Sequence, residues 1–266
     1  MNKSKKLYIF QIVLFSLFAL GLSVLLVISL NNRGGLFGLR FGQTGVSSNL
    51  IIDKEYSFEE LNKVEIKIKA GELKIVNTKS TDDKASLKFY AEHDEFAHID
   101  KDDDSLKIED RSSNCYFFCV NQTSVKVELT LPENYAGELV IDISYGDVEI
   151  NEFKLASLYL NSSAGNVKIE STKNINASLN MGNLELGDCF GEAIINSSMS
   201  SIKISELHLT KDSKIDLSMG SVEINHVGDV RVEADTSLGE IDIEGDNKNS
   251  NIVLKIDNSM GSITVR

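Results

Sequence analysis

The chain has no tryptophan, a single proline (Pro132), three cysteines and four histidines among 266 residues. Scarcity of these residues removes several kinds of chemistry at once. His93, His98, His208 and His226 have no metal-like spacing with one another or with cysteine. No second ligand pair accompanies Cys115 and Cys119 in the pattern a structural zinc site needs. Neither a P-loop, a G-x-S-x-G elbow nor an H-E-x-x-H helix occurs. Asp100–Asp104 is acidic, but an EF-hand starting there would need Gly where Ser105 stands and Glu where Arg111 stands. The segment therefore reads as an acidic turn. No catalytic set, cofactor site or metal site is expected, and the chain reads as a non-enzyme.

Basic residues are also few. Lys3, Lys5, Lys6, Arg33 and Arg40 are the only charges in the first 40 residues, which leaves 40 acids against 22 bases in the remainder. A domain so acidic repels polyanions, so nucleic acid is not an expected partner.

The chain contains one long apolar run. Leu7–Leu30 is 24 residues without a charge, roughly 36 Å as a helix, against about 30 Å of hydrocarbon core. It is longer than a signal-peptide core and is followed by Ile28-Ser-Leu-Asn-Asn-Arg, not by a small-x-small cleavage site. A transmembrane signal anchor is the expectation. Three lysines precede the span, which places a short tail (1–6) in the cytoplasm and everything after residue 30 outside. Residues 31–49 carry five glycines and read as a flexible stalk.

Beyond the stalk the composition favours short strands joined by Asn, Asp, Ser and Gly turns. From Gly137 the chain writes one pattern seven times: SYGDVEI, SAGNVKI, NMGNLEL, SMSSIKI, SMGSVEI, SLGEIDI and SMGSITV. The aligned small residues are Gly146, Gly165, Gly182, Ser200, Gly220, Gly239 and Gly261, in steps of 19, 17, 18, 20, 19 and 22. A period near 20 residues marks a solenoid whose coils bury their apolar faces only by stacking. The fold class expected is all-β: a parallel β-helix of about seven coils over 137–266, with 50–136 as an irregular β cap. Residues such as Leu158, Leu160, Val167 and Ile169 should form interior ladders, while Lys168 points out. Each repeat glycine is expected at a corner that needs positive φ, and Ser200 should use another turn geometry. Met181, Met199, Met219 and Met260, each just before the small residue, read as ladder packing in preference to a thioether or adaptable binding face.

Cys115 and Cys119 frame Tyr116, Phe117 and Phe118. Outside the cell they can close a small disulfide loop if the backbone turns there, and the aromatics would then form a contact knuckle or tuck into the cap. If the segment is a strand, the cysteines stand about 13 Å apart and cannot bond. Cys189 reads as a small buried hydrophobe.

The run from Ser57 through Ile68 (SFEELNKVEIKI), the strand ending Leu129-Thr-Leu-Pro132 and the repeated small-Gly-x-h-x-h units together resemble a bacterial β-strand-repeat domain family provisionally named for adhesion. The resemblance covers roughly residues 55–266. It implies a surface domain behind one membrane helix, in some members linked to envelope-stress operons, and supplies no catalytic residues. The function expected is a membrane-anchored, adhesin-like binding module or stress-response accessory, with a cell-envelope polymer or surface protein as partner. The alternative is a polysaccharide-active β-helix lyase or hydrolase.

Overall fold

The structure, a computed structural model, describes residues 46–57, 61–78, 84–112 and 124–266. The expected anchor, the stalk to Gly45, and the Cys115–Cys119 loop with Tyr116, Phe117 and Phe118 lie outside the described residues. Among the described residues no helix is long and apolar enough to cross a membrane.

Period-2 alternation builds the interior as the repeat implies. Leu158, Leu160, Val167 and Ile169 are buried, as are Ile215, Leu217, Val222 and Ile224, and Leu254, Ile256, Ile263 and Val265. Lys168 faces solvent. Each coil is a rung of two strands that meet at the small residue, and successive rungs pair in parallel and in register. The stack runs through β7 (Glu138–Cys189), which winds through several coils, then β8 (Ala193–Leu207) and β9 (Ser213–Val227).

The stack is longer than the seven repeats. β2 (Lys63–Thr78) pairs in parallel with β7, aligning Gly71 with Gly146. On its other side β2 pairs in parallel with β5 (Ser105–Asp110) and β6 (Val125–Pro132). Residues 50–136, read from sequence as irregular cap, thus contribute two rungs to the solenoid. Their corners, Gly71 and Val125, escape the 20-residue period because the chain leaves to build the cap between them. That cap is antiparallel: β1 (Leu50–Ser57) on β3 (Lys84–Tyr90), β3 on β6, and β4 (Ala97–Lys101) on β5. Asp110 is buried where the cap meets the stack, and its carboxylate accepts from the backbone amides of Lys69 at 3.1 Å and Ser112 at 2.8 Å.

Rung order departs from chain order at both ends. β2 precedes β5 and β6 in sequence yet lies between them and β7. At the far end, β12 (Val253–Met260) and β13 (Ile263–Val265) pair in parallel with β9. Their other edge pairs with β10 (Arg231–Leu238) and β11 (Ile241–Ile243). The C-terminal rung is therefore wedged under the one that precedes it. Residues 244–252 fold back over the terminal rung, where Asp246 accepts from the Val232 amide at 3.0 Å and Ser250 donates to the Asp229 carbonyl at 2.8 Å. An open strand edge is a template for unwanted pairing, and this return covers part of it.

Disulfide trapping tests the rung order directly. In a background lacking Cys115 and Cys119, Lys214→Cys with Lys255→Cys, and Lys255→Cys with Glu233→Cys, join facing positions on adjacent rungs. Such positions lie about 4.8 Å apart, close enough to bridge. Lys214→Cys with Glu233→Cys spans two rungs, about 10 Å, and stays reduced. Crosslinking of that last pair, with failure of the first two, would mean that the rungs follow sequence order.

Candidate binding face along the corner

What the outer surface presents is decided at the corner. Alternation holds up to the third residue before the small one, which points inward, but the next two residues both face solvent. Ser218 and Met219 are exposed together, as are Ser198 and Met199. Gly146, Gly165, Gly182, Gly220 and Gly261 have φ between +131° and +144°, a region open essentially to glycine alone. Gly239 keeps the tight approach without a positive φ. At Ser200 the corner carries a side chain, and its buried hydroxyl contacts that of Ser197. Interior polar side chains help satisfy corner carbonyls, with Asn258 Nδ2 donating to Gly220 O at 3.1 Å.

In-register stacking turns each position into a column. The residue just before the corner gives Tyr145, Met181, Met199, Met219, Met260 and Leu238 in stack order, with Ala164 between Tyr145 and Met181. The four methionines are 41–45% exposed, Tyr145 55% and Leu238 67%. The methionine row is a ladder, but a solvent-facing one. It does not pack the interior, because the extra outward residue at the corner carries it to the surface. Just past the corner runs a polar column. Asn166 Nδ2 donates to Asp147 at 3.1 Å, Asn183 Nδ2 donates to Asn166 at 2.9 Å, and the Ser201 and Ser221 hydroxyls lie 3.2 Å apart.

Two charged columns contrast. Three residues past the corner, Glu128, Lys74, Glu149, Lys168, Glu185, Lys203 and Glu223 alternate in sign from rung to rung. Lys74–Glu149 at 3.2 Å and Lys203–Glu223 at 3.7 Å close within it. Four residues before the corner the column runs Ser178, Asn196, Asp216, Asp257 and Asp235, ending on three like charges in register. Like charges facing across a strand pair cost stability. Lys214 lies 2.6 Å from Asp216 and 4.0 Å from Asp257, and Lys255 lies 2.8 Å from Asp257. The hydrogen bond to Asp257, followed by its charge, holds the Lys255 ammonium above the usual lysine range. Asp235 has no lysine in this set. Between this column and the exposed serines Ser218, Ser259 and Ser237 lies an open groove of about 610 Å³ that crosses five rungs.

The remaining candidate residues do not converge here. Cys189 is buried, donates weakly to backbone carbonyls, and its thiol is pushed up by burial. His208 stacks on Phe190 with centroids 5.3 Å apart and lies 3.0 Å from Glu206. Among the described residues no group of His, Cys, Asp and Glu is arranged to hold a metal ion. The groove was missed in sequence because Ser, Asn and Asp look like turn residues until register aligns them.

No curated protein matches the chain. Among solved structures, one from Clostridium sporogenes, provisionally described as a cell adhesion protein, is 14% identical, covering 80% of this chain and 97% of that one at a TM-score of 0.42. Another from Bacteroides fragilis, provisionally described as an adhesin, is 17% identical, covering 83% and 98% at 0.43. Both overlays are loose, and the assignment rests on sequence. Residues 57–266 match the Toastrack DUF4097 family, and the chain belongs to it.

Proposed function

We propose that this protein is a non-enzymatic, adhesin-like binding module held at the outer face of a cell membrane by Leu7–Leu30. The contact face in this reading is the groove beside the corner, and its partner is an extended, neutral or cationic cell-envelope polymer. An accessory role in envelope-stress sensing would use the same face. The observation that carries the reading is the aspartate column. On the alternating column charges neutralise one another, whereas Asp216, Asp257 and Asp235 concentrate one sign where stability alone would disperse it. Hydroxyls and amides flank these carboxylates across five rungs, so a chain molecule laid along the stack meets repeated hydrogen-bond partners. The groove is open along its length, and Asp216 and Asp257 already sit against lysines. Neither feature suits a recessed acid–base pair.

Binding of isolated envelope polymers to the full chain in detergent tests this. The triple variant Asp216→Asn/Asp235→Asn/Asp257→Asn relieves repulsion but also removes the exposed ion pairs to Lys214 and Lys255. Tm is therefore expected to change little while affinity falls about tenfold, and salt is expected to weaken wild-type binding of a cationic polymer. Unchanged affinity would contradict the proposal, and release of shortened polymer would favour the polysaccharide-active alternative. Orientation is tested on protoplasts. External protease is expected to remove the β region and leave the anchor; a C-terminus that resists until the membrane is opened contradicts this topology.

A further inference from the structure

We propose that the exposed methionine ladder is a thioether site for a soft monovalent cation of the Cu(I) class. Apart from Met1, every methionine of the chain lies in this one column: Met181, Met199, Met219 and Met260. The buried hydrophobic core contains none. A residue used as an adaptable filler would be scattered through the interior, where irregular gaps occur. Here the interior is filled by Ile, Leu, Val, Phe and Ala, while methionine is confined to four consecutive rungs that face solvent.

Register supplies the geometry. Met181 pairs with Met199, Met199 with Met219, and Met219 with Met260. Adjacent strands stand about 4.8 Å apart, close to twice a metal–sulfur bond of about 2.3 Å. A two-coordinate ion between neighbouring thioethers therefore fits the rung spacing with the backbone unmoved. The column's surroundings suit a soft ion as well. Each methionine is flanked in sequence by Asn180, Ser198, Ser218 or Ser259 and by a glycine or Ser200. No carboxylate occupies those flanking positions to favour a hard cation over thioether sulfur. Leu238 caps one end of the column in register with Met260. An apolar contact ridge alone would be served by leucine at every rung, as it is there. The methionines adjoin the groove but do not line it, and the tests below read the thioethers directly, so this inference stands or falls independently of the polymer-binding proposal.

The test uses the full chain in detergent with [13C-methyl]methionine, titrated with Ag(I) as a redox-inert stand-in for Cu(I) and, in parallel, with Zn(II). The expected result is saturable shifts of the four ladder methyl signals with Ag(I) and none with Zn(II). Because the signals report methionine directly, silver bound at thiols does not mimic the result. The variant Met181→Leu/Met199→Leu/Met219→Leu/Met260→Leu conserves volume and is expected to fold with unchanged Tm. In a background lacking Cys115 and Cys119, whose thiolates would otherwise dominate, a competition with a colorimetric Cu(I) chelator should show this variant binding Cu(I) at least about tenfold more weakly than the protein with its methionines intact. Ladder methyls that stay still under millimolar Ag(I), equal shifts with Zn(II), or an undiminished hold on Cu(I) by the leucine variant would each overturn the inference.

Discussion

The structure depends on how closely one rung's backbone approaches the next at the corner. A Cβ built on Gly146, Gly165, Gly182, Gly220 or Gly261 would lie 1.6–1.8 Å from the corner carbonyl oxygen of the neighbouring rung. Gly71 and Gly239 are nearly as tight, at 2.0 and 1.9 Å from Val125 O and Gly261 O. No side chain fits there. Apart from Ser200 and Val125, which carry side chains, the corner column is thus a seam along which rungs meet main chain to main chain, and it fixes their register. Five of these corners also need a φ that L-residues rarely adopt.

Once the seam fixes register, every position along a rung becomes a column through the stack, and each column can be specialised. Interior columns are mainly aliphatic. One outer column alternates Lys and Glu, and is electrically content. Another gathers Asp, and a third gathers Met. Because the columns are parallel, a property confined to one residue type in sequence becomes a stripe in space. A solenoid can in this way build an extended binding face without a cleft.

Much of this was legible in the chain. Strand alternation around Val167 and Ile169, or Val222 and Ile224, identifies interior ladders because a period of two has one buried face. The spacing of Gly146 through Gly261 identifies coils. What escaped was anything set by partner choice and not by local pattern. Gly239 and Gly261 look like successive rungs, yet the second stacks directly on Gly220; the 22-residue step between them was the one irregular sign. Val64 to Ile75 looked like a cap element because its corner, Gly71, has no neighbour one period away in sequence. The methionines were misplaced because strict alternation puts Met219 on the same side as Leu217. The corner inserts a second outward residue, and only the backbone reveals it. The aspartate column depends on Asp257 lying between Asp216 and Asp235, which no linear reading could supply.

The seam is tested most directly by the thermal stability of Gly182→Ala, with the crystal or solution structure of the variant alongside. An alanine there must accommodate φ near +136° and a methyl group against Gly165 O. The backbone term alone costs about 1–3 kcal/mol, and the steric conflict adds to it, so a large fall in Tm with loosening of the adjoining rungs is predicted. A variant with unchanged Tm and unchanged rung spacing would contradict the account, because the corner would then not be what sets the register of the stack.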